Sequence, residues 1–152
     1  MDNGMVYPSF YPSEIMETFE RETFDCIHVH HPMFVGPCAL YLKRKYRLPL
    51  IYTYHTRYED YLHYIPGLRV DENSFELKKK AVGLIQTKLI PAYMSWFANQ
   101  CDLVLAPSAG MQKILWKYGM RSRSAVFPTG LEESFFRTDE QRAQEIRETY
   151  IG

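Results

Sequence analysis

The chain has 152 residues, with 18 Lys plus Arg against 18 Asp plus Glu and five His, so it carries no formal net charge at neutral pH. That length supports one domain, and a composition of 46% hydrophobic, 15% aromatic and 24% charged residues is a globular balance that excludes wholesale disorder. A neutral chain offers no bulk field to a polyanion, and no local basic patch of the nucleic-acid kind stands out, so no nucleic-acid partner is expected.

Residues 1–23, rich in Tyr, Pro and Glu, read as a lead-in without a strand or a glycine-rich turn. The apolar run 24–30 (FDCIHVH) then reads as a first strand, and 36–46 as a helix with basic residues in its last turn. A second strand is expected over 50–55 (LIYTYH). The long helical stretch 75–99 follows, and Pro91 should end or kink it near Ile90, leaving Tyr93, Trp96 and Phe97 on a second helix. Strand 102–106 (DLVLA), helix 111–118 opened by Ser108 and closed by Gly119, and strand 124–127 (SAVF) complete a β-α-β-α-β-α-β order. Residues 138–150, with mixed charges at helical spacing, read as a solvated helix or linker.

Strands joined through helices must run parallel, so the expected fold is α/β, a doubly wound, Rossmann-like parallel sheet. Such sheets bind ligands beyond the carboxyl ends of their strands. That rule singles out His30, His31 and Pro32, then residues 55–58, 107–110 and 128–131. Three cysteines, Cys26, Cys38 and Cys101, are an odd number without C-x-x-C spacing, which points to a reducing cytoplasm. The opening MDNGMVYPSF lacks the basic-then-apolar order of a secretory leader, and no window nears the roughly 20 apolar residues that span a bilayer. Neither secretion nor a transmembrane anchor is expected.

Four constellations bear on chemistry. His28 and His30 share one face of a strand and His31 falls at its end, so a metal would need a sharp turn there; otherwise the imidazoles line a ligand cleft. In YTYHTRYEDYLHY, His55 leaves a strand and Thr56, Arg57, Tyr58, Glu59 and Asp60 open a helical turn, gathering donors, acceptors and a titratable ring. At α-helical spacing Tyr58, Tyr61, Leu62 and Ile65 share a buried face and Glu59 and His63 lie opposite, with the charges as a solvated rim. Ser108 and Gly110 in SAGM open a helix whose free N–H groups suit an anion or simply a cap, and the turn Pro128, Thr129, Gly130 is similar in kind. Finally, Lys78, Lys79, Lys80 and Lys88 accompany a stripe of Leu77, Ala81, Leu84, Ile85 and Leu89, read as a surface helix with snorkelling lysines or as a membrane-surface helix. No G-x-G-x-x-G, P-loop or G-x-S-x-G is present.

FDCIHVHHPMFVG, LPLIYTYHTRYEDYLHYIP, CDLVLAPSAGMQKILWKYG and VFPTGLEESFF, in this order and spacing, resemble the N-terminal domain of family 4 retaining glycosyltransferases of the GT-B fold. Bacterial members that glucosylate diacylglycerol are the nearest in kind. The resemblance implies that residues 24–137 are the later, acceptor-side half of that domain, and that residues 138–152 lead to a separate donor-binding domain. It implies a role for His55 at the transferred sugar, with Thr56, Arg57, Tyr58, Glu59 and Asp60 on the acceptor side and Ser108, Gly110, Thr129 and Gly130 facing the cleft. It further implies a UDP-sugar donor, a lipid or glycan acceptor, peripheral contact with the inner membrane face, and no bound metal or cofactor. The family's first strand with its glycine-rich loop and its E-x7-E motif are not matched; Glu132 and Glu140, and Glu140 and Glu148, have that spacing but lack the flanking residues. The chain is therefore expected to be a piece of a longer enzyme, inactive by itself and prone to self-association. The remaining alternatives are a non-catalytic anion- or metal-binding module using His28, His30 and His31, and a nonfunctional remnant.

Overall fold

The structure is a computed structural model that describes residues 11–65, 67–71, 74–130, 144–145 and 147–149. In chain order the elements are α1 (Ser13–Arg21), β1 (Ile27–Val29), α2 (Gly36–Tyr46), β2 (Leu50–Thr53), a 3₁₀ segment (Tyr58–Tyr64), α3 (Glu76–Leu84), a π-helical turn (Ile85–Leu89), α4 (Ile90–Ala98), β3 (Leu103–Ala106), α5 (Ala109–Tyr118) and β4 (Ser124–Val126). The four strands form one parallel sheet in the order β1-β2-β3-β4, with Ile27 opposite Leu50, Ile51 opposite Leu103 and Val104 opposite Ser124. The expected α/β class and parallel sheet are found, and each strand is shorter than its apolar run. Of the tail, residues 144–145 and 147–149 are helical; the rest of it, with Leu131, Glu132 and Glu140, lies outside the described residues.

Each strand steps to the same side of its predecessor. A right-handed crossover therefore delivers every connecting helix to the same face. On that face Ile27, Val29, Leu50, Tyr52, Tyr54, Val104 and Ala106 are buried. The Tyr52 ring meets Phe97 of α4 edge-on with centroids 5.2 Å apart, and Leu115 of α5 is fully buried beside them. The opposite face is thinly covered: Ile51, Leu103 and Leu105 are half-buried and His28 and Ala125 are exposed. A doubly wound sheet needs a second helical layer there, and the described residues supply one layer.

α2 approaches α4 closely at its first residue. A Cβ built on Gly36 would stand 2.8 Å from Cε2 of Phe97. Gly36→Ala is therefore expected to lower stability by about 1–3 kcal/mol through overpacking. Denaturant unfolding checks this, and an unchanged midpoint would mean that the Phe97 ring swings aside freely.

At the amino end of the sheet, Asp102 ties three elements together. Its Oδ2 accepts from the Leu50 amide at 2.7 Å and from Lys43 Nζ at 2.9 Å. Burial opposes ionisation of this carboxyl, but those two donors more than offset it and hold its pKa below the usual value. All three cysteines are free, with Cys38 and Cys101 buried; burial pushes the Cys101 thiol up to about 12.

Three local features add to the expected pattern. The lead-in contains a helix, α1, whose Ile15, Met16 and Phe19 pack on the core; their i, i+1, i+4 spacing was the signal for it. As expected, Pro91 opens a second helix, α4, which carries Tyr93, Trp96 and Phe97. It sits in the first turn of α4, and the missing N–H and the ring's clash with the carbonyl four residues back are absorbed by the wider turn Ile85–Leu89, where Ile90 N–H bonds Ile85 O. The apolar stripe faces solvent at Leu77, Ala81, Leu84 and Leu89, because Val82, Ile90, Met94 and Phe97 take the side toward the sheet.

Candidate functional site at the carboxyl rim of the sheet

Because all four strands are parallel, the segments that follow them emerge at one rim: His30 to Pro32 after β1, Tyr54 and His55 after β2, Ser108 after β3, and Thr129 and Gly130 after β4. Alternation along β1 puts His28 on the thinly covered face. There its Nε2 lies 2.7 Å from Oγ1 of Thr53, a buried hydroxyl on the neighbouring strand. The His28 and His30 rings lie 4.2 Å apart, and His30 Nδ1 lies 2.8 Å from His55 Nε2. Thr53 was not singled out from sequence, although its position two residues before His55 on the same strand face was the signal for it.

His31 leaves this group. Its ring packs between Phe34 and Tyr58, at 5.2 and 5.3 Å, and its Nδ1 is buried without a hydrogen-bond partner among the described residues. That divergence keeps His28, His30 and His31 from converging on one point. Among the described residues no group of three or more His, Cys, Asp or Glu side chains is placed to hold a metal ion.

Partial desolvation lowers the pKa of His28, with the neighbouring His30 and His55 adding to it, and burial alone lowers that of His31. Both rings bind protons more weakly in the folded chain than in the unfolded one. Above an ordinary histidine pKa of about 6.5 neither state is protonated and the difference is silent. As pH falls below that value the unfolded chain takes up protons that the folded chain refuses, so stability drops. Melting curves between pH 7.5 and 5 are expected to move to lower temperature, and His31→Phe, which keeps the ring contacts, is expected to flatten the trend. A melting temperature that rises on acidification would contradict the assignment.

The segment after His55 differs from its expected pattern. Leu62 is buried as anticipated, but Tyr61 and Ile65 are exposed and Glu59 is only 5% exposed. The segment is 3₁₀, in which residues three apart eclipse, so Glu59 and Leu62 point inward together. Glu59 Oε1 accepts from the Tyr118 hydroxyl at the end of α5 and, at 3.1 Å, from Arg57 Nε. Arg57 also reaches Asp60 Oδ2 at 3.1 Å. Burial, with the Glu59 bond next, pushes the Tyr118 phenol up to about 12. Thus His55, Arg57 and Asp60 are exposed at the rim, Thr56 and Tyr58 are half-buried, and Glu59 anchors the loop from inside.

Ser108 is the cap of α5: its Oγ accepts from the Met111 amide at 3.2 Å. Gly110 stands open in that first turn, and Gly119, with φ +102°, closes the helix in the left-handed region as its position implied. The amino end of α5 therefore faces the rim with its remaining N–H groups and dipole. Thr129 and Gly130 are exposed just beyond β4.

A parallel α/β sheet with imidazoles, a guanidinium and a helix amino end along its carboxyl rim is a domain of the Rossmann-like class. Residues 3–135 match the family model described as Glycosyltransferase Family 4, and the chain belongs to that family. It is similar to the alpha-monoglucosyldiacylglycerol synthase of Streptococcus pneumoniae, 28% identical over 148 residues, which are 97% of this chain and 30% of that protein. It is also similar to the alpha-monoglucosyldiacylglycerol synthase of Acholeplasma laidlawii, 23% identical over 125 residues, 81% of this chain and 29% of that protein. The chain thus spans about 30% of the length of these relatives. No solved structure matches it.

Proposed function

We propose that the chain is the acceptor-side part of a retaining glycosyltransferase that moves glucose from UDP-glucose to 1,2-diacylglycerol at the inner face of the cell membrane. Family membership and the names of the two relatives support the transfer and its lipid acceptor. In this reading the bond from the sugar's anomeric carbon to the diphosphate breaks, and the acceptor hydroxyl oxygen takes its place on the same face of the ring. The hydroxyl proton leaves with the diphosphate. His55 orients the sugar, Thr56, Arg57, Tyr58 and Asp60 border the acceptor, and the amino end of α5 at Ser108 and Gly110 offsets negative charge on the donor. Thr129 and Gly130 border the same cleft.

One observation carries the lipid acceptor: the surface of α3, the π turn and α4. Phe75 is 86% exposed, Leu77 80%, Leu84 56%, Leu89 58% and Trp96 48%. A π turn advances fewer degrees per residue than an α turn, which draws Leu89 back toward the side of Leu84, and Trp96 follows Leu89 by two α turns. Residues 77–101 contain four lysines and no Asp or Glu in a chain that is neutral overall. An apolar edge flanked by cations fits an anionic bilayer surface. No helix among the described residues is long and apolar enough to cross a membrane.

The test uses the full polypeptide that carries this domain, labelled UDP-glucose, and vesicles containing 1,2-diacylglycerol with and without anionic lipid. Label is expected in the lipid extract, the isolated 152-residue chain is expected to transfer none, and anionic lipid is expected to raise vesicle binding at least about tenfold. The double variant Leu77→Glu, Leu84→Glu is expected to abolish that gain. Label recovered only in water-soluble products, with no vesicle binding, would overturn the lipid acceptor.

A further inference from the structure

The closest polar contact of His55 is with another histidine. His30 Nδ1 and His55 Nε2 are 2.8 Å apart, a hydrogen-bond distance that needs one nitrogen protonated and the other bare. Two arrangements satisfy it. If His30 donates, both rings must hold their proton on Nδ1, the form that histidine side chains favour less in water. If His55 donates from Nε2, both rings keep the favoured Nε2–H form and the bond is satisfied without cost.

The His30 ring is itself held. It lies 4.2 Å from the His28 ring, whose Nε2 is 2.7 Å from Thr53 Oγ1, and Thr53 is buried in the sheet. The His30 and His55 rings are near parallel, 15° apart with centroids at 5.1 Å. A rigid strand pair therefore fixes His28, His28 backs His30, and His30 fixes a ring that sits on a loop.

We infer that His30 is a positioning residue for His55, accepting the His55 Nε2–H so that the His55 ring is held in one orientation and one tautomer with its Nδ1 lone pair free. A free Nδ1 acceptor suits a sugar hydroxyl, which donates to it; with the opposite tautomer His55 would present an N–H instead. This deepens the proposed function and rests on His55 being the group at the transferred sugar. Both rings are exposed, so the bond contributes little to folding.

The test pairs ring-nitrogen NMR with kinetics on the full polypeptide carrying this domain, in wild type, His30→Ala and His30→Asn. In wild type His55 is expected to show a single Nε2–H form. His30→Ala is expected to release it to a mixture of tautomers and to lower kcat roughly a hundredfold, the size of effect a small misplacement of a reacting group produces, with KM for the sugar nucleotide and the melting temperature little changed. His30→Asn places an acceptor oxygen where Nδ1 was and is expected to restore the Nε2–H form and most of kcat. A His55 in the Nδ1–H form, a His55 spectrum unmoved by His30→Ala, or an unmoved kcat would each overturn the inference. A wild type that transfers no glucose would overturn the proposed function instead, while the NMR arm still decides whether His30 holds His55.

Discussion

In the full polypeptide carrying this domain, His55→Ala is expected to lower kcat by about a hundredfold or more, the scale of losing the group that orients a reacting sugar. The melting temperature should hardly move. His55 is exposed, and its named polar contact is the single bond to His30, so removing it forfeits about 0.5–1.5 kcal/mol at most. For a chain of this size that is a shift of only a few degrees. A large rate effect beside a small stability effect is what separates a group acting on substrate from one holding the fold. If His55→Ala kept the wild-type rate, the rim would lose its central residue and the proposed chemistry would have to be moved elsewhere on the domain.

Glu59→Ala is expected to behave in the opposite way, lowering unfolding free energy by about 3 kcal/mol. Its carboxylate is buried, and it accepts from both Tyr118 and Arg57, which joins the loop after β2 to the last turn of α5. Alanine would leave the Tyr118 hydroxyl without this acceptor and open a void beneath the 3₁₀ segment. Arg57 would keep Asp60, and it is itself part exposed, so its share of the loss is modest. Glu59→Gln keeps the shape and the acceptor oxygen but not the charge, and is expected to cost about 1 kcal/mol. Denaturant unfolding of the three proteins checks the order. Equal stability of Glu59→Ala and wild type would mean that this anchor carries nothing.

The strands were legible because each is a short apolar run closed by Pro, Gly, Ser or Asp, and the parallel sheet followed from the helices between them. α5 was legible at both ends, since Ser108 and Gly119 are residues whose chemistry is local to a helix terminus. What stayed hidden depended on period. On an α-helical wheel the segment from Tyr58 sends Glu59 outward; the 3₁₀ turn sends it inward, where Tyr118, distant in sequence, joins Arg57 in pairing the buried carboxylate. Likewise Pro91 announced a disturbance, but whether the chain breaks or widens its preceding turn depends on how α4 packs against the sheet. At the rim the histidines were visible in the sequence, whereas the pairing of His30 with His55 required the register of β1 against β2.

The strand order also sets the route by which the chain reaches its fold. Each strand joins the one made before it, so the sheet can grow in the direction of synthesis without waiting for distant partners. β1 with β2, and β3 with β4, close short connections through one helix each. The β2–β3 pairing is different, because Ile51 must find Leu103 across the 3₁₀ segment, α3, the π turn and α4. Loop closure is costliest there, and non-local pairing slows folding. The strap bearing the exposed lysine and leucine edge is thus also the longest connection that the described sheet must close.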